Sequence, residues 1–153
     1  MTKRNLILLV LAVLMLCASP ALAAKKKAMM DPINSDYAKG VQAVNERHWN
    51  AGIELLTKVI DNPATPKELV PLALTNRGTA YANKKMTAEA LADLTKAIEH
   101  SKAGKPQAVY YKNRGLSYGA MTNLDAAKAD FKKARELDPG IKIPMHYKPM
   151  LKQ

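Results

Sequence analysis

The chain has 153 residues, 48% of them apolar and only 5% aromatic, and a formal net charge of +11. That length supports one domain with a real core and not two independent ones. Ala, Leu and Lys, all good helix formers, dominate, and no stretch alternates apolar and polar residues as a half-buried strand requires, so β architectures are excluded and an all-α fold is expected.

In chain order, Lys3 and Arg4 precede an apolar run from Leu6 to Leu16, and Ala21-Leu22-Ala23 supplies small residues at a cleavage position. Residues 1–23 therefore read as a signal peptide of an exported, periplasmic or secreted protein. The alternative is an uncleaved membrane anchor, since Leu6 to Ala24 is nearly long enough to span a bilayer of about 30 Å. Pro20 and the Ala-x-Ala site favour cleavage. Lipid attachment at Cys17, the single cysteine, is disfavoured because the residue before it is Leu16. Loss of Cys17 with the signal leaves no disulfide framework and no thiol nucleophile. Residues 24–33, with Lys25-Lys26-Lys27 and Met29-Met30, read as a basic flexible linker.

Helical punctuation follows. Asn62-Pro63 stops one helix, and Thr65-Pro66-Lys67-Glu68 restarts the next with a capping box and a proline in the first turn. Pro71 should kink that helix or delay its start. Gly104 and Pro106 repeat the stop and start, while Asn50, Thr87 and Asn123 lie near short turns that they are placed to cap. The tail 140–153 contains Pro144 and Pro149 and so is not one helix. Its Ile141, Ile143, Met145, Tyr147 and Leu151 are expected to lie across the exposed end of the last helix pair.

Internal repetition is the most informative feature. Gly40, Gly78 and Gly115 are spaced 38 and 37 residues apart. Three residues after them come Ala43, Tyr81 and Tyr118; twelve after, Gly52, Ala90 and Ala127; sixteen after, Leu56, Leu94 and Phe131; nineteen after, Val59, Ala97 and Ala134. Small residues thus recur where two helices approach, and large apolar ones recur a turn away to fill the gap.

Tyr111-x-x-Arg114-Gly115-x-x-Tyr118, then Ala127-x-x-x-Phe131 and Pro139, resembles the tetratricopeptide repeat, with Tyr for the usual Trp and Arg for the usual Leu. The stretch from Leu74 through Gly78, Tyr81, Ala90, Leu94 and Ala97 matches nearly as well. The first repeat is degenerate, with Asp36, Ala43 and Gly52 at three key places. The resemblance, to an exported bacterial type of the family, implies an α-solenoid of three helix-turn-helix repeats at about 34–64, 71–104 and 108–141.

By the same resemblance the first helix of each pair lines a concave groove for a peptide or protein segment. Its residues would be Tyr37, Val41 and Val44, then Thr75, Asn76, Thr79 and Asn83, then Val109, Lys112, Asn113 and Leu116. Asn76 and Asn113 are equivalent, and each amide has the chemistry either to bond a peptide backbone or to bridge adjacent helices. Some family members clamp a partner's terminal carboxylates with Lys, Asn, Asn, Lys and Arg; Tyr37, Val41, Asn76, Val109 and Asn113 stand at those places, so that mode is not expected. Arg77 and Arg114 replace Leu and should lie along a packing surface with wet guanidinium groups.

An enzyme is not expected. Gly115-Leu116-Ser117-Tyr118-Gly119 matches G-x-S-x-G, with Asp125 and His146 following, but the chemistry needs a strained strand-to-helix turn and the motif falls in a repeat helix. His48, His100 and His146 are far apart, so no metal or cofactor is expected. Asp93 with Lys96 and Asp130 with Lys133 read as solvated-face pairs. The expected function is a non-enzymatic interaction module or scaffold of the cell envelope that holds a protein or peptide. The alternative is a basic surface protein holding anionic lipid or polymer. Nucleic acid is not an expected partner, because no helix carries the clustered basic stripe of a groove binder.

Overall fold

A computed structural model describes residues 20–151. Six α-helices follow one another: α1 Pro20–Asn45, α2 Trp49–Asp61, α3 Val70–Asn83, α4 Thr87–Glu99, α5 Lys105–Ala120 and α6 Leu124–Leu137. Two short 3-10 turns, Met145–Tyr147 and Pro149–Leu151, complete the described chain. Contacts divide it into a unit ending at Ser35 and a unit beginning at Asp36.

Of the first unit only the start of α1 is described. The stretch expected to be a flexible linker is helical here, and Pro32 lies inside the helix. Ala24, the three lysines and Ala28 all have high helix propensity, which outweighs the disorder suggested by their charge. The signal segment falls mostly outside the described residues. Among those described, no helix is long and apolar enough to cross a membrane.

The second unit holds three helix pairs, the first of them formed by the end of α1 and α2. Within the pairs α3 packs on α4 and α5 on α6; between them α2 packs on α3, α4 on α5, and α3 on α5. The glycine register is realised as close approach. A Cβ at Gly40 would stand 2.9 Å from Leu56 Cγ, at Gly78 3.1 Å from Leu94 Cγ, and at Gly115 2.8 Å from Phe131 Cε1. Leu56, Leu94 and Phe131 are in turn fully buried, as are Val59, Ala97 and Ala134.

The turns within pairs share one solution. Arg47, Lys85 and Thr122, each seven residues after its register glycine, have φ of 64°, 64° and 59°. The amides of His48, Met86 and Asn123 bond back to the carbonyls of Ala43, Tyr81 and Tyr118, which satisfies helix-end groups at the cost of a left-handed non-glycine residue. Of the three expected caps only Asn123 acts, accepting from the amide of Ala126. Residues 48 and 86, not Asn50 and Thr87, occupy the other cap positions.

Thr65 does not form the expected capping box, because its hydroxyl donates to the carbonyl of Val59 at 2.6 Å. The third helix starts instead at Val70 with Pro71 in its first turn, the delayed start that Pro71 implied. The tail lies on the last pair: Ile143 is buried with Ala127 and Phe131, and Ile141, Tyr147 and Leu151 pack around them. Met145 is the exception, at 73% exposure.

Candidate functional site

The first helices of the second and third pairs, α3 and α5, lie side by side. Between them opens a concavity of about 480 Å³ lined by Thr79, Ala82, Asn83, Asn113, Leu116, Ser117 and Ala120, with Lys85, Thr87 and Leu94 completing it from the turn and α4. Of the eleven groove residues expected, Thr79, Asn83, Asn113 and Leu116 are brought together here.

Its polar chemistry is set by back-bonding along the helices. Thr79 Oγ1 donates to the carbonyl of Thr75 at 2.9 Å, Asn83 Nδ2 to that of Thr79 at 2.9 Å, and Ser117 Oγ to that of Asn113 at 3.2 Å. The hydroxyl hydrogens and one Asn83 N–H are thereby engaged, while the hydroxyl oxygens keep acceptor capacity and Asn83 keeps its carbonyl and second N–H. Among the described residues none hydrogen-bonds the Asn113 side chain, which keeps both donor and acceptor. Ala82, Leu94 and Leu116 supply the apolar part.

The other expected groove residues have different places. Asn76 Nδ2 donates to the carbonyl of Leu72 at 2.9 Å and reaches the Tyr37 hydroxyl at 3.4 Å, so this amide links α3 to α1. Burial pushes the Tyr37 phenol pKa up, against the opposing pull of the Asn76 bond. Thr75 is buried, donating to the carbonyl of Pro71, and Val44 is buried with its Cγ2 only 2.7 Å from where a Cβ at Gly52 would stand. Val41 and Lys112 are half-buried and outside the concavity.

Ser117 and Ala120 were missed although the register held the signal for one of them. Asn76, Thr79 and Asn83 stand at one face of α3, and the equivalent places in α5 are Asn113, Leu116 and Ala120. Ser117, 3% exposed in the last turn of α5, sits on no strained strand-to-helix turn and has its hydroxyl on the Asn113 carbonyl, so it lacks the geometry of a nucleophile. Among the described residues no group of three His, Cys, Asp or Glu side chains is placed to hold a metal ion.

Arg77 and Arg114 differ most from expectation. Arg77 Nε and Nη2 donate to the two carboxylate oxygens of Asp93 at 2.8 and 2.9 Å, and Nη1 donates to Thr57 Oγ1 at 2.8 Å. Arg114 repeats this on Asp130, at 2.8 Å twice, and on Thr95 at 3.2 Å. Each guanidinium thus joins the two helices of its own pair to the last helix of the pair before. Its side chain is only 14% or 18% exposed rather than wet, and the bond to the carboxylate holds its pKa above the usual value. Asp93 and Asp130 are accordingly buried and not paired with Lys96 and Lys133; the latter bonds Glu136 instead.

The tetratricopeptide repeat family model matches residues 72–102 and 108–141. Over 100 residues the chain is 29% identical to the heat shock protein STI1 of Saccharomyces cerevisiae, covering 65% of this chain and 16% of that protein. The chain thus spans about a sixth of the length of that curated relative. Among solved structures it is similar to the second such domain of human RPAP3 in complex with the HSP70 peptide SGPTIEEVD, at TM-score 0.68 and 25% identity, covering 82% of this chain and 98% of that one. It is similar also to the first such domain of Spaghetti (RPAP3) bound to the HSP90 peptide SRMEEVD, at TM-score 0.66, 25% identity, and 80% and 89% coverage. The Arabidopsis OM64 domain, at TM-score 0.70 and 23% identity over 81% and 97%, shares the fold.

The fold is that of three tetratricopeptide-type helix pairs, an architecture that holds peptides in the similar RPAP3 domains. The comparisons correct the expectation of an exported bacterial type. The similar proteins are eukaryotic, among them a heat shock protein and domains bound to HSP70 and HSP90 peptides, so the signal, periplasmic and secreted assignments do not stand. Two cations before an apolar run and a small-residue triplet after it, which carried those assignments, are compositional features of low specificity.

Proposed function

We propose that the concavity between α3 and α5 holds a short peptide segment of a partner protein, gripping its backbone through amides and hydroxyls and seating one apolar side chain. The convergence of Thr79, Asn83, Asn113 and Leu116 on one concavity carries this reading. A volume of about 480 Å³ suits an anchor side chain and adjoining backbone, and free acceptors over an apolar floor are what an extended peptide's amides and side chain require.

The similar RPAP3 domains take peptides ending in acidic residues. Val41 and Val109 stand where a carboxylate clamp would need Asn and Lys, so the peptide held here is recognised by its backbone and apolar anchor more than by its terminus. Selection of a displayed peptide library on the full chain tests this. Selected peptides should lose about tenfold or more in affinity for an Asn83→Ala, Asn113→Ala variant that keeps its helical circular dichroism, and should be indifferent to amidation of their C-terminus. Unchanged binding to that variant would sink the assignment.

The alternative of anionic lipid or polymer capture draws on Lys25, Lys26 and Lys27, all exposed on α1. It requires sedimentation with anionic vesicles that disappears at high salt.

A further inference from the structure

We infer that the outer face of α6 is a second docking surface, for an acidic helix of another protein. In the first two pairs the residues thirteen, seventeen and twenty places after the register glycine are Ile53, Thr57 and Ile60 in α2, and Leu91, Thr95 and Ile98 in α4. This face receives the following pair. Ile60 and Ile98 pack on the cluster of Leu74, Ala97 and Tyr110, and Thr57 and Thr95 accept from Arg77 and Arg114.

In α6 the same three places are Lys128, Lys132 and Arg135, a short basic row that corrects the expectation that no helix carries a basic stripe. Lys132 and Arg135 are exposed, Lys128 is half-buried, and none of the three has an ion pair or hydrogen bond with another described residue. Of the nearby acids, Asp130 is held by Arg114, Glu136 by Lys133, and Asp138 accepts from the amide of Gly140, while the exposed Asp125 lies in the first turn of α6, ahead of the row. The tail seals Ala127 and Phe131 and so leaves this row as the open part of the end.

A face that only kept the array soluble would mix signs. This one carries a single sign at i, i+4 and i+7, over about 10 Å of helix. Its two equivalents each receive a helix, which fixes the shape of the occupant, and its charge selects carboxylates at matching spacing. A bilayer fits less well, because membrane-surface helices also present an apolar face and that of α6 is buried under the tail and α5.

The probe is a labelled Ala-rich helical peptide of about 15 residues with Glu at i, i+4 and i+7, set against an isomer whose Glu residues are spread around the helix. Anisotropy is read on the full chain at about 50 mM salt, where surface charge is weakly screened. A Lys128→Gln, Lys132→Gln, Arg135→Gln variant should lose about tenfold or more in affinity. Lys25→Gln, Lys26→Gln, Lys27→Gln, which removes equal charge elsewhere, should change it by less than about twofold, and so should the Asn83→Ala, Asn113→Ala variant. Equal losses in the two lysine variants, no preference over the isomer, or a loss seen with phosphatidylserine vesicles in place of the peptide would each overturn the proposal. Thermal melts of each variant show that the fold is retained.

Discussion

The first helix pair and the two that follow pack by the same small-against-large register, yet only the latter carry a buried ion pair. Where the second and third have Arg77 with Asp93 and Arg114 with Asp130, the first has Lys39 and Leu55. Lys39 is exposed, and Leu55 Cβ would lie 3.3 Å from a Cβ at Gly40. The contrast teaches that glycine against Leu56 suffices to bring two helices together. The guanidinium is needed where a third helix must also be held in register, since it reaches back to Thr57 or Thr95. A buried pair of this kind contributes more to specificity of arrangement than to net stability, because desolvation offsets its attraction. The family model matches the two clasped pairs and not the first.

The largest expected effect comes from breaking the clasp on one side. Asp93→Ala leaves a buried guanidinium without its carboxylate and should destabilise by about 3–5 kcal/mol in urea titrations. Lys39→Ala in the first pair should change stability by less than about 0.5 kcal/mol. Replacing both partners, Arg77→Met with Asp93→Leu, should recover most of the loss; if the double variant is as unstable as the single one, the clasp does more than satisfy its own charges.

A smaller effect tests how the third pair is closed. A Cβ at Gly119 would stand 2.6 Å from Tyr147 Cζ, so Gly119→Ala should expel the ring at a cost of about 1–3 kcal/mol despite the better helix propensity of Ala. Increased proteolysis after residue 140 would report the released tail. In the turns, Thr122 is β-branched in a left-handed conformation, and Thr122→Gly should stabilise by about 1 kcal/mol, more than Arg47→Gly at the equivalent place in the first pair.

The weakest effect is alkaline. The guanidinium pKa values are raised, so the clasps keep their charge through the whole range in which tyrosine titrates. Tyr37 and Tyr110 have phenol pKa values raised mainly by burial. The folded state holds these protons more tightly than the unfolded chain, so their contribution is intact below the ordinary value of 10.0 and is lost as pH rises beyond it. Melting temperatures followed from pH 9 upward should fall less steeply in a Tyr37→Phe, Tyr110→Phe variant.

Fold class, the three-pair register and the delay at Pro71 were legible in the sequence because each depends on local propensity or on residue size at a fixed spacing. A glycine recurring sixteen residues before Leu or Phe states a close approach without needing coordinates. The Arg–Asp–Thr clasps were not legible: residues sixteen or more apart in sequence meet only after the helices have packed, and on sequence alone Asp93 and Lys96 look like neighbours on a wet face. The groove was half legible for the same reason. The face of α3 and α5 follows from period, but which amide is spent on another helix depends on what stands opposite: Tyr37 bonds Asn76, while no described residue bonds the Asn113 side chain. Sequence determined which residues share a face, while tertiary structure decided which faces were left open, because burial is a property of pairs of surfaces and not of single ones.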